Sequence, residues 1–122
     1  MRRPTFCAHV NNHDDGITIT VMERSGRSMG ALSIYNDNIT VGFISQVHTE
    51  DKHRNLGLAN RVLYNLEEIG KNRGVTTFQL AVEKSWAVDW YKRHGYNQYT
   101  EYEDTNYVGM EKKVDDLSKK PE

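Results

Sequence analysis

The sequence predicts an α+β domain in which helices cover a central, mixed but mostly antiparallel sheet. Two changes of period carry this reading. Up to about His48 the apolar residues follow the two-residue repeat of strands, interrupted by clusters of turn formers. After Gly57 the repeat becomes helical, returns to a strand, becomes helical again and ends in two more strands. A chain of 122 residues suits one domain and leaves no room for a second. We therefore expect a single domain over residues 1–114 and a charged, flexible tail over 115–122.

The first strand is expected at Phe6–Val10, closed by the turn-forming cluster Asn11-Asn12-His13-Asp14-Asp15-Gly16. Ile17–Met22 alternates β-branched residues and reads as the second strand. Glu23-Arg24-Ser25-Gly26-Arg27 turns the chain into a third, Met29–Tyr35. Asn36-Asp37-Asn38 is a tight connection to a longer strand, Ile39–His48. These four form an antiparallel meander.

Leu58, Val62, Leu63, Leu66 and Ile69 then line one stripe of a helix, with Asn60, Arg61, Asn65, Glu67 and Glu68 on the wet face. Gly70 weakens the end of that helix and Gly74 caps it. Thr76–Val82 is a strand. Ser85 caps a shorter helix that buries Trp86 and Trp90 and ends at Gly95. Tyr96–Tyr102 and Tyr107–Val114 complete the sheet, with no internal repeat along the chain.

Composition excludes several classes of function. Sixteen Lys and Arg stand against seventeen Asp and Glu, so the chain lacks the basic footprint of a nucleic-acid binder. No apolar run approaches the roughly 20 residues a membrane helix needs. The basic start has no apolar stretch of the secretory kind, and the single cysteine, Cys7, cannot form an internal disulfide. Both point to the cytoplasm. Cys7, His9 and His13 lack a fourth ligand and a spacing that would bring them together, so no metal site is expected. The loop around Gly57 lacks the Gly-Lys-Ser/Thr ending of a nucleotide P-loop.

The segment that carries chemistry is Arg54-Asn55-Leu56-Gly57-Leu58-Ala59, where the long strand gives way to the first helix. A glycine at a helix N-terminus lets a ligand reach the main chain, and the unpaired N–H groups there favour a phosphate or diphosphate. Arg54 adds a cation at the lip. On its own the motif reads equally as a loop whose glycine eases strand-to-helix packing.

Together with Phe78–Val82 and with Trp90-Tyr91-Lys92-Arg93-His94-Gly95-Tyr96, this motif resembles the signatures of the GNAT superfamily of acetyl-CoA-dependent N-acetyltransferases, in the family's order. The resemblance implies a fold with a splayed pair of strands, here Ile39–His48 and Thr76–Val82, and acetyl-CoA as co-substrate. It places the diphosphate on Arg54, Asn55, Leu56, Gly57, Leu58 and Ala59. The pantetheine arm would lie between the splayed strands, with the main chain near Val47 orienting the thioester and stabilising the oxyanion. Ser85 stands where the family often has an asparagine contact to the cofactor. Tyr91 matches the tyrosine acid that protonates the departing thiolate. An amine acceptor must lose a proton before it attacks, and His48 and Glu83, at the ends of the two splayed strands, are the candidate bases.

Two departures from the family pattern have consequences. The link from Val47 to Arg54 is longer than usual, which predicts a local bulge. The six residues between the first two strands leave no room for the helices that wall the acceptor pocket in the family. The acceptor site is then open, or completed by a second subunit in a homodimer, and suits a peptide or protein amine better than a small molecule. The rival reading is a non-catalytic GNAT-fold module that binds CoA or a partner protein.

Overall fold

The computed structural model describes residues 5–49 and 57–114; the expected tail and Arg54, Asn55 and Leu56 lie outside the described residues. Within the described residues, seven strands and two helices follow one another as β1 (Phe6–His13), β2 (Gly16–Glu23), β3 (Ser28–Tyr35), β4 (Asn38–Thr49), α1 (Leu58–Asn72), β5 (Thr77–Glu83), α2 (Trp86–Arg93), β6 (Asn97–Glu101) and β7 (Tyr107–Lys113). They form one mixed sheet in the order β1-β2-β3-β4-β5-β7-β6. Of these neighbours only β4 and β5 run parallel. The expected α+β class and the four-strand meander are both present.

The alternation that identifies β2 and β3 also decides which face is covered. Ile17, Ile19 and Val21 pair with Ile34, Leu32 and Gly30, and this face takes α1. Approach is close there: a Cβ on Gly30 would stand 2.9 Å from Val62 and 3.0 Å from Leu66. The stripe of α1 reads as its sequence predicts, with Leu58, Val62, Leu63 and Leu66 buried. The other face of the meander carries Thr18, Thr20 and Met22 on β2 and Met29, Ala31, Ser33 and Tyr35 on β3. None of the described helices packs on it.

Several local expectations are corrected. β1 does not stop at Val10 but runs to His13, leaving only Asp14 and Asp15 between the strands. Asn11, Asn12 and His13 are drawn into the ladder by Thr18, Ile17 and Gly16, so hairpin pairing overrides their turn preference. Gly70 lies inside α1, where a Cβ would meet the Phe78 ring at 2.7 Å; its role is close packing rather than termination. Glu67 is not on the wet face. It is 5% exposed, and its carboxylate accepts from the Tyr96 hydroxyl at 2.7 Å and from the Lys112 ammonium at 2.9 Å. A buried carboxylate is tolerable there because both oxygens are satisfied.

β4 is irregular at two places, and both bear on its neighbours. Ser45 pairs with Ala31 and His48 with Met29, so Gln46 and Val47 together oppose Gly30. This is a β-bulge, with Gln46 at φ 58°, an uncommon conformation for a residue other than glycine. It precedes the Val47–Arg54 link for which the unusual spacing predicts a bulge, and most of that link lies outside the described residues. Pairing with β5 covers only Val41–Thr77, Gly42–Phe78 and Phe43–Gln79, and beyond these β4 and β5 separate.

Candidate active site

The separation of β4 from β5 opens a cleft of about 320 Å³. Val47, His48 and Thr49 border it from β4 and Val82 from β5. Ala59 of α1 forms one side, and Trp86, Ala87, Trp90 and Tyr91 of α2 the other. Four residues singled out in the sequence, Val47, His48, Ala59 and Tyr91, thus meet around one space. Glu83 and Ser85 do not border it.

The first turn of α1 begins at Gly57, which adopts φ 70° and ψ 19°. An added Cβ there would meet nothing within 4 Å among the described residues, so the main chain is approachable. No described side chain caps the helix and no acidic residue occupies its first turn. Among the described residues, no side-chain acceptor meets its leading N–H groups at the positive end of the dipole, an arrangement suited to an anion. Leu58 itself is fully buried, so only its main chain can serve a ligand.

Ser85 caps α2, its hydroxyl accepting from the Ala87 N–H at 3.2 Å. That cap sets the direction of the helix and puts Tyr91 at its inner side, 9% exposed. The Tyr91 ring meets Trp90 edge-on at 4.9 Å and Tyr96 at 5.6 Å between centroids. Burial pushes the phenol up to about 12, so the hydroxyl keeps its proton throughout the neutral range. Trp86, expected to be buried, is 62% exposed and stands at the mouth of the cleft.

His48 is exposed, and its pairing with Met29 puts it on the sheet face away from α1. Glu83 pairs with Tyr107, one position out of phase with the cleft-lining Val82, which turns it to that same outer face. The two candidate bases therefore flank the gap from the far side, at the ends of strands that have parted.

Sequence reasoning passed over His94. Its Nδ1 donates to the Trp90 carbonyl at 2.7 Å, its Nε2 lies 3.0 Å from the side-chain amide of Asn60, and its ring rests on Trp90 at 4.2 Å. It clamps the first turn of α1 to the helix that carries Tyr91. Only the basic run closing α2 hinted at a role, and that run reads first as a complement to the helix dipole.

A family model described as the acetyltransferase (GNAT) family matches residues 2–96. The chain belongs to this family. As a GNAT protein it is an acyltransferase that takes its acetyl group from acetyl-CoA. Solved structures agree on the fold. The PaiA N-acetyltransferase of Thermoplasma acidophilum in complex with coenzyme A has a TM-score of 0.69 at 17% identity, with 82% of this chain and 62% of that one covered. A GNAT family acetyltransferase of Elizabethkingia anophelis with acetyl-CoA bound gives 0.68 at 10% identity, covering 89% and 98%. An acetyltransferase of Bacillus cereus gives 0.62 at 19% identity, covering 90% and 74%. No curated protein sequence matches the chain.

Proposed function

We propose that this GNAT domain acetylates a primary amine on a peptide or protein, with direct attack of the amine on acetyl-CoA in a ternary complex. The single observation that carries the proposal is the parting of β4 from β5 beyond Phe43 and Gln79, which leaves main-chain groups of both strands facing one cleft beside Tyr91. Pantetheine satisfies such groups as an added strand would. Its diphosphate end is assigned to the turn at Gly57, with Leu58 and Ala59 supplying N–H groups and Arg54, Asn55 and Leu56 completing the loop.

The acceptor approaches from the uncovered sheet face. Its nitrogen gives a proton to His48, the better placed of the two bases because it borders the cleft, while Glu83 acts through water. The nitrogen bonds to the thioester carbon, the oxyanion is held by main-chain N–H at the Val47 bulge, and the C–S bond breaks with its electron pair on sulfur while the nitrogen gives up its second proton to water. Tyr91 faces that sulfur. A phenol near 12 against an ordinary thiol near 8.5 makes complete proton transfer uphill by about 5 kcal/mol. Its main service is thus a hydrogen bond to the developing thiolate, with full protonation following as the desolvated cleft raises the thiol as well.

The open outer face supports a polymeric acceptor over a small enclosed one. Release of free thiol from acetyl-CoA, with lysine peptides and free amines as acceptors, tests the reading. Tyr91→Phe should lower kcat by about 10–100-fold with little change in KM for acetyl-CoA. A Tyr91→Phe enzyme as active as wild type overturns the role of the phenol. Tight CoA binding without turnover on any acceptor would favour the non-catalytic module.

A further inference from the structure

A second cavity, of about 610 Å³, lies at the opposite end of β4, where the β1–β2 and β3–β4 turns meet. Asp15 and Asp37 stand on its rim, and Tyr35, Val41 and Phe43 form its wall. Tyr35 and Phe43 are each 40% exposed and pack against one another at 5.7 Å. Neither aspartate forms an ion pair among the described residues, and the two turns are joined by the Asn36 N–H donating to the Asp15 carbonyl at 2.8 Å. Two carboxylates and two aromatic rings lining one cavity suit a cation with an apolar stem.

The cavity and the transfer cleft share one surface. Phe43 pairs with Ser33 and His48 with Met29, and because β3 alternates without interruption both lie on the face that no described helix covers. Between them that face carries Ser45, which is exposed, Ser33, which is half-buried, and Ala31, which is buried among its neighbours. The path from the cavity to His48 runs along β4 for roughly 15–20 Å, the span of about five or six residues of an extended peptide.

We propose that this cavity binds a lysine or arginine side chain of the acceptor peptide, five or six residues from the amine that is acetylated. The inference rests on the reading of the acceptor as a peptide. Charge complementarity selects the cation, and the aromatic pair holds its methylene stem. A free diamine or an isolated arginine would fill the cavity without reaching the cleft.

The test compares the wild type with the double variant Asp15→Asn, Asp37→Asn, which keeps side-chain shape at two exposed turns. Two peptides carry one acceptor lysine each, with either arginine or alanine at the sixth position from it. For the arginine peptide, KM should rise about tenfold in the variant, with kcat, the KM for acetyl-CoA and the KM for the alanine peptide unchanged. Calorimetry of the arginine peptide against the CoA-loaded protein should show the same tenfold weakening, and this arm reads the cavity whether or not turnover occurs. Equal affinity of both peptides for the wild type overturns the proposal. So does a free polyamine that binds as tightly as the arginine peptide. Absence of turnover with the calorimetric difference intact would strike the acceptor chemistry and leave the cation site standing.

Discussion

Replacing Tyr96 by phenylalanine removes one oxygen from the interior and tests how the two helices are tied to the sheet. Tyr96 is 1% exposed and donates to Glu67 Oε2 at 2.7 Å, while Lys112 serves Oε1 at 2.9 Å. The change leaves Glu67 Oε2, in a residue 5% exposed, without its hydrogen-bond donor. A hydrogen bond to a charged group contributes about 1.5–3 kcal/mol net, and the ring packing against Tyr91 is retained in the variant. We expect a loss of about 2 kcal/mol, which for a chain of this length lowers Tm by roughly 6–10 °C. Urea unfolding measures it as a fall in midpoint at unchanged slope. A double-mutant cycle with Glu67→Gln should give a coupling on the order of 1 kcal/mol or more. A loss below about 0.5 kcal/mol, or a cycle that adds, would refute the view of Glu67 as an anchored interior charge.

Gly57→Ala should lower stability by about 1–2 kcal/mol, since the alanine must adopt φ 70°, and on the proposed placement of the diphosphate it should weaken CoA binding by about tenfold in a direct titration. Gly70→Ala sets a helix gain of about 1 kcal/mol against a Cβ driven to 2.7 Å from Phe78, so thermal unfolding should show a net loss of about 1–2 kcal/mol instead of the usual benefit. Stability should fall at both ends of the pH scale. The hydrogen-bonded Arg27 guanidinium holds the Glu23 carboxyl down to about 2 from an ordinary 4.5, so its contribution is complete above about 4.5 and is lost as pH falls towards 2. Burial raises Tyr91 to about 12, so its contribution is present below about 10 and is lost as pH rises towards 12. Equilibrium unfolding across both windows checks this; Arg27→Gln should flatten the acid limb alone, and an unchanged acid limb would rule out Glu23 as its source.

What the sequence discloses is what periodicity and single-residue chemistry encode. The β2, β3 and α1 patterns are legible because one face of each is buried and the other wet. Gly57 and Tyr91 stand in short motifs whose order along the chain carries information. Glu67 misleads because its burial depends on Tyr96 and Lys112, which are distant in sequence. Trp86 misleads in the opposite sense: a large aromatic reads as core until the parting of two strands provides a mouth for it to border. His94 is invisible for a related reason, since its partner Asn60 lies on the other helix. Pairings made by the fold leave no local mark.

The extra residue in β4 sets the parity of the strand's last turn of alternation. With Gln46 and Val47 both opposite Gly30, Val47 and the buried Thr49 point inward and His48 points out. Were the strand to alternate regularly through Gln46 with no bulge, the assignment would invert: an imidazole would be driven into the apolar interior and a valine onto the surface. Deleting Gln46 alone would instead leave a regular ladder in which Val47 still faces Gly30 and His48 still faces Met29, so the bulge absorbs one residue of chain without moving the imidazole across the sheet.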